Sequence, residues 1–465
     1  MSTSPSSSSN SKLTNDLNDI LDSNSDFKPT IEIELKLHTE EKDLTTSDGV
    51  VLGSILQIRD YENNIADYIE IKLLVYLGTY IYDIYPYLEN IEITLVYYDQ
   101  LYEGDKPAKI VERYKAVYLK DLNDRIPTLL NASLTDLNQQ PPITLTLQLL
   151  DRSAEVLRVA TIHGNFEPII NGTKKPDVFL KTLISDQATK ITVENKPAIQ
   201  SIDIEKADNT EDIPSITLPS FTRLIDLPAY LQNRSYGIYN AGIGAYIQLF
   251  NGLKTFFIYS LFTAKKYDKQ DYKTIFYSPI DSSLVRADKT YLYKDKILKV
   301  IVEPLTKLLD SRETDLMSSG AGFRVANARS FMRKPVDMTE DGPRFNRPKL
   351  NTEIVLKDRK DGLNYAPHSN QRASSNNFKR TTEVIKSNGA YIELKWYNSN
   401  IRYIYPGQAC KIMVEGKDNK ITELFGVILS IQTYTVDETQ SPVLKYNHST
   451  NYSMISVLKV FITNF

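Results

Sequence analysis

The ordered part of the chain opens on strict alternation: Ile31, Ile33, Leu35 and Leu37 are separated by Glu32, Glu34 and Lys36. Period two over this run predicts a strand with one buried face. Further strands are expected at Leu52–Arg59, at Ile69–Tyr76, through Ile91, Ile93, Leu95 and Tyr97, and at Ala108–Leu119, with a polar turn at Asp60–Asn64. Closely spaced strands without a helical period between them point to a small antiparallel barrel or sandwich over residues 29–135. Before it, residues 1–28 are rich in Ser, Asn and Asp and read as a disordered tail.

Residues 140–262 mix the two periods. Ile143–Leu147 alternates; from Pro176, a residue suited to a first helical turn, Val178, Leu180, Leu183 and Ile184 mark one helical face. Phe221, Leu224, Ile225, Tyr230 and Leu231 also have helical spacing, which Pro228 is expected to kink or split. Asn251-Gly252 between Ala245–Phe250 and Thr255–Phe262 predicts a hairpin. Residues 265–322 read as connecting strands and a helix starting at Pro304. Strands return at Ala390–Tyr397, Ala409–Val414, Phe425–Val436 and Ser453–Phe461, so a second β domain occupies residues 381–465, built partly from segments near 265–300. The fold class is mainly β with an α+β middle.

A chain of 465 residues exceeds what one core fills and implies several domains. Hydrophobic residues at 41% exclude wholesale disorder, and a net charge of −3 makes no global case for nucleic acid or a membrane surface. Cys410 is the one cysteine, so intrachain disulfides and cysteine-based zinc or iron–sulfur sites are out. Thirty tyrosines against one tryptophan favour half-buried pleated surfaces. The first residues, MSTSPSSSSN, carry no export signal, and the apolar stretch Leu73–Tyr82 is broken by Gly78 and Thr79, far short of a span. Five Asn-x-Ser/Thr sites (Asn131, Asn171, Asn233, Asn447, Asn451) therefore read as chance matches, and a cytoplasmic site of assembly is expected.

Signatures of chemistry are sparse. No phosphate-binding loop, zinc-protease helix, serine elbow or calcium loop occurs, and Gly242-Ile-Gly244 reads as a turn rather than a dinucleotide site. His38, His163, His368 and His448 stand apart from any candidate nucleophile, and Cys410 lies inside an apolar strand. No catalytic residue, metal ligand or cofactor is assigned. The 58 acidic residues leave a carboxylate pair for glycoside hydrolysis open, since only folded geometry reveals one. Residues 323–380 stand out, with 13 Lys/Arg against 6 Asp/Glu. There Arg324, Arg329, Arg333, Lys334, Arg344 and Arg347 are interleaved with Phe323, Phe331 and Phe345. The stretch reads as a basic arm or linker. Arg324, Arg329, Phe331, Arg333, Arg344 and Phe345 are its candidate partner-interface residues, with phosphate contacts plus stacking and a merely solvated loop as the alternatives.

Three segments carry a resemblance. VVLGSILQIRDYENNIADYIEIKLLVYLGTYIYDIYP (Val50–Pro86) has an Arg-Asp-Tyr strand end, a short polar turn and an amphipathic strand. IPSITLPSFTRLIDLPAYLQNRSYGIYNAGIGAYIQLFNGLKTFFIY (Ile213–Tyr259) has an Ile-Pro start, a short helix and a Tyr-x-x-Tyr before an aromatic strand pair. Ile404–Val436 brings a Pro-Gly turn into a strand that a Gly-Val strand follows. In this order they resemble the hub or tail proteins of contractile-tailed bacteriophages; the Ser-rich start and residues 323–380 have no counterpart in that pattern. The resemblance implies two tube-like antiparallel β-barrel domains flanking a mixed domain. It also implies a homotrimeric baseplate hub in the virion, joining a hexameric tail tube to a trimeric spike, with the genome passing through its lumen. On this reading the chain is a virion structural protein and not an enzyme. Two other classes stand beside it: a tail-associated peptidoglycan hydrolase, and a receptor- or carbohydrate-binding tail module using exposed tyrosines.

Overall fold

The structure is a computed structural model that describes residues 6–22, 31–102, 107–119, 141–167, 175–188, 190–193, 195–210, 212–213, 215–232, 237–262, 272–308, 323–327, 352–359, 362–364, 382, 385–386, 389–416, 421–437 and 451–462. In chain order a helix α1 (Ser6–Asp22) precedes β1 (Ile31–His38), β2 (Asp43–Leu44), β3 (Val50–Asp60), β4 (Tyr68–Val75), β5 (Ile91–Tyr102), β6 (Pro107–Tyr118) and β7 (Ile143–Asp151). The middle holds β8 (Thr161–Phe166), β9 (Thr192–Val193), β10 (Lys196–Pro197), β11 (Ser201–Ile204), β12 (Ile216–Arg223), β13 (Ile243–Phe250) and β14 (Leu253–Ser260). Next come β15 (Thr274–Ser278), β16 (Tyr291–Lys294), β17 (Ile297–Ile301) and β18 (Glu303–Leu308), then β19 (Phe323–Asn327), β20 (Thr352–Arg359) and β21 (Gly362–Asn364). The chain ends with β22 (Ala390–Tyr397), β23 (Ala409–Glu415), β24 (Ile421–Asp437) and β25 (Asn451–Ile462).

Fifteen of these strands form one sheet, and they trace two circuits, the first closed by pairing at every step and the second only by the chain that joins β17 to β18. The first runs β24, β3, β4, β7, β6, β5, β1, β25 and back to β24, antiparallel at every step. The second closes through a continuous stretch of chain. Ile297–Ile301 pairs with β15, and past Val302 the strand β18 pairs with β22, so β17, β15, β23, β24, β25, β22 and β18 return to their starting point. Here β15 is parallel to both β17 and β23, so this circuit is mixed rather than antiparallel.

The circuits share β24 and β25, long strands whose free edges change partner along their length. Residues 421–427 of β24 pair with β23, while residues 430–434 pair with β3. A register irregularity between Ile428 and Ser430 marks the changeover, as expected of a bulge that re-aims a strand. The two β regions foreseen at opposite ends of the chain are therefore one sheet. Both cores are packed with alternating inward residues, Leu37, Ile71, Leu73, Ile93 and Leu147 in the first and Ile412, Val427, Ile431, Leu458 and Val460 in the second.

The middle region is mixed, as its pattern predicts. Pro176–Ala188 is helical and buries Phe179, Leu180, Leu183 and Ile184, although Val178 faces outward. Asn251 and Gly252, at φ 48° and 77°, turn the β13–β14 hairpin. The helical spacing read from Phe221 fails at its start. Ile216–Arg223 is a strand, and helical turns begin only at Leu224, with Pro228 seated in the first turn of Leu227–Tyr230, where its missing N–H costs nothing.

Two other expectations are corrected. No helix starts at Pro304: Glu303–Leu308 is a strand on β22, with a ladder irregularity between Pro304 and Thr306 where the imide nitrogen has no hydrogen to donate. Within the Ser-rich start, residues 6–22 form α1 instead of a disordered tail, because Leu13, Leu17 and Ile20 share one helical stripe buried against the sheet. Among the described residues no helix is long and apolar enough to cross a membrane.

Candidate functional site

The three segments singled out by resemblance converge on one buried polar junction. It begins at Arg59-Asp60-Tyr61. Asp60 turns the chain at the end of β3 by accepting from the backbone N–H groups of Glu62 and Asn63 at 3.0 and 3.1 Å and from Asn63 Nδ2 at 2.9 Å. Tyr61 N–H donates to the Leu429 carbonyl at 2.9 Å, seating the turn on the bulge where β24 changes circuits. Arg59 then points inward. Its Nε lies 3.2 Å from Asp67 Oδ2, and Nη1 donates to the Ile401 carbonyl at 2.8 Å.

Asp67 is fully engaged. Gln57 Nε2 donates to it at 2.5 Å, and the Tyr246 hydroxyl at 2.7 Å. Tyr246 belongs to β13 of the middle region and meets Tyr61 edge to face at 4.8 Å. From the same strand Gln248 accepts from the Tyr61 hydroxyl at 3.3 Å and donates to the Ile404 carbonyl at 2.8 Å. Tyr259 of β14 donates to the Tyr61 carbonyl at 3.0 Å. Gly407, at φ 71°, closes the junction: a Cβ there would lie 2.7–2.9 Å from the Tyr259 ring. Tyr405 packs against Phe250 and Phe257 in the aromatic cluster beside it.

The electrostatics are those of a fastening. Burial works against the Arg59 charge, yet Asp67, with the Tyr61 and Tyr246 oxygens, holds the guanidinium protonated above its ordinary range. Burial raises the hydroxyls of Tyr61, Tyr246 and Tyr259, with Asp67 adding to the first two, so all three stay neutral donors. Every strong polar group named here finds a protein partner, so the junction is built to bind the three segments to one another.

Elsewhere, a cleft of about 610 Å³ lies between the first circuit and the helix Arg152–Val159. Of its carboxylates, Glu92 is paired with Arg113 at 2.6 Å and with Arg152, Glu155 with Lys115 at 3.4 Å, and Glu40 accepts from Asn90 Nδ2 at 2.5 Å. His38 sits 2.7 Å from Asp43 and 2.8 Å from Thr94. Burial pushes the Cys410 thiol far above its usual range, which makes it an inert core residue. Among the described residues no group of three or more His, Cys, Asp or Glu is placed to hold a metal ion.

Of the candidate interface residues, Arg324 falls in β19, which pairs parallel with β20. Arg329, Phe331, Arg333, Arg344 and Phe345 lie outside the described residues. The junction residues Asp67, Tyr246 and Gln248 escaped the sequence reading. One signal pointed to them: Gln248 interrupts the apolar run Ala245–Phe250, and a buried amide inside a strand demands partners.

Neither a protein-family model nor a curated protein matches the chain. Its structural neighbours include two tail proteins and a VgrG complex. A tail protein from Neisseria meningitidis is 10% identical, with a TM-score of 0.45, covering 92% of this chain and 96% of its own. The 43 kDa tail protein of prophage MuSo2 from Shewanella oneidensis is 12% identical at the same TM-score, covering 92% of this chain and 98% of its own. The Francisella PdpA-VgrG complex, in its half-lidded form, is 11% identical with a TM-score of 0.38, covering 93% of this chain and 58% of that one.

Proposed function

We propose that the chain is a virion structural protein: a baseplate hub subunit of a contractile tail, acting as a homotrimer that joins a hexameric tail tube to a trimeric spike. The observation that carries this reading is the pair of strand circuits within one subunit, one closed by pairing throughout and one through the chain between β17 and β18, sharing β24 and β25. Three copies bring six circuits around an axis, two kinds alternating, which offers a sixfold partner six contact positions and a threefold partner three identical subunits. The duplication answers a six-to-three mismatch without a second gene product.

The interiors of both circuits are filled by side chains. A lumen for the genome therefore lies between subunits and not through a circuit. The junction at Arg59 and Asp67 holds the circuits and the middle region rigid, which suits a part that transmits force and makes or breaks no bond. Residues 323–380 act in this reading as an arm toward neighbouring subunits, with Arg324, Arg329, Phe331, Arg333, Arg344 and Phe345 as its contacts.

Native mass spectrometry of the purified chain tests the proposal. A species at three times 53.0 kDa is expected, and negative-stain images of it should show a ring of six lobes. A monomer at every concentration that also fails to join a tail tube or spike would remove the hub reading.

A further inference from the structure

The outer face of β15, β17 and β23 presents Ile275, Tyr277, Ile301 and Met413 beneath α1, with Val285 beside them. Leu13, Leu17 and Ile20 of α1 fill that face from one helical stripe, with Ile20 wholly buried. Between these anchors Asp16 turns inward, taking Lys299 Nζ at 2.6 Å on one oxygen and the Tyr277 hydroxyl at 2.7 Å on the other. Tyr277 is itself completely buried. The face therefore carries a polar receptor as well as apolar area, and it discriminates: an apolar helix without the carboxylate would leave the buried Tyr277 hydroxyl and the half-buried Lys299 without their partner.

The helix in this receptor is a poor one by its own chemistry. Ser, Asn, Thr and Asp dominate SSSSNSKLTNDLNDILD, and these side chains favour caps and turns over helix interiors. Three apolar anchors and one ion pair must offset the ordering of 17 residues. Docked and released states are consequently close in free energy, the condition for local opening. Residues 23–30 connect Asp22 to Ile31 and can span at most about 30 Å, which sets the reach of any exchange between subunits. Exchange of an identical element repeats every contact it made at home, so it costs little.

We propose that this face is a helix-docking site between copies of the chain, receiving α1 of a neighbouring subunit in the assembled ring as it receives its own α1 in a lone one. The exchange rests on the oligomeric reading above; the receptor's affinity for the helix does not, and the two are measured separately.

The full-length Leu17→Asp variant loses its central anchor and vacates the face. A fluorescent peptide of residues 6–25 should then bind it saturably, at least tenfold more weakly when Asp16 of the peptide is replaced by Ala, and more weakly to the unaltered chain, whose own α1 competes. No binding to a Leu17→Asp protein that keeps its circular dichroism overturns the receptor. The full-length Leu21→Cys, Leu292→Cys double variant, which keeps Asp16 and Lys299 and sets both thiols against the same cluster, treated with a bis-maleimide, should give chains linked to one another. Links confined within single chains, in a protein whose native mass is oligomeric, overturn the exchange. A monomeric native mass instead sinks the hub reading, and the exchange with it, while the peptide titration still decides the receptor.

Discussion

Replacing Asp67 by Ala removes the counter-charge of Arg59, whose side chain is 8% exposed and whose remaining strong partner is the Ile401 carbonyl. Breaking a buried pair by deleting one member costs about 3–5 kcal/mol, because the survivor stays desolvated and unpaired. The Gln57 amide and the Tyr246 hydroxyl lose their acceptor as well, at roughly 1 kcal/mol each. Asp67 is 16% exposed, so water entering the space recovers part of this, and a net loss of about 3–4 kcal/mol is expected. Against a total stability on the order of 5–15 kcal/mol this is a large fraction. Chemical denaturation of Asp67→Ala, Arg59→Met and the double variant measures it. With both charges gone no uncompensated ion remains, so the double variant should cost at least about 2 kcal/mol less than the sum of the singles. Additivity within about 0.5 kcal/mol, or a loss under about 1 kcal/mol for Asp67→Ala, would refute the view that this pair fastens the segments.

Three further outcomes follow from the same structure. Gly407→Ala places a Cβ against the Tyr259 ring at a left-handed φ of 71°; backbone strain and overpacking together should cost about 2–4 kcal/mol, visible as a lowered denaturation midpoint. Phe221 is 85% exposed at φ 65° on the β12 irregularity, so Phe221→Asn, which tolerates that conformation, should leave stability unchanged or raise it by about 0.5–1 kcal/mol in the same assay. Burial holds the hydroxyls of Tyr61, Tyr97, Tyr239, Tyr246 and Tyr259 above their ordinary range. The unfolded chain sheds these protons near pH 10 while the folded chain keeps them, so this contribution is complete below about pH 10 and declines above it. Phenolate absorbance and circular dichroism recorded together should show these tyrosines ionising only as the fold is lost; their ionisation in an intact fold would contradict their burial.

Local pattern was enough for the strands. Ile31 to Leu37, Ile91 to Tyr97 and Ala390–Tyr397 alternate because a strand places successive side chains on opposite faces, and each appears where that period places it. Asn251-Gly252 and the helix from Pro176 were legible for the same reason, since turn dihedrals and helix starts are set by a few adjacent residues.

Partner choice was not legible. Nothing in Ile421–Asp437 announces that one half pairs with β23 and the other with β3, because pairing is settled by which edges meet after collapse. Pro304 looked like a helix start and became a strand because the edge of β22 was there to be paired. The Ser-rich start became a helix because the sheet face buries Leu13, Leu17 and Ile20 while a buried tyrosine and a lysine far along the chain supply Asp16 with partners. The junction shows the same division. Arg59, Tyr246, Gln248 and Ile404 are ordinary residues in three separate stretches of sequence, and their roles exist only where the fold removes water from them together. Alternation and turn chemistry act over a handful of residues and can be read from the chain; desolvation acts on whatever the tertiary structure encloses, and it alone decided which polar groups had to find one another.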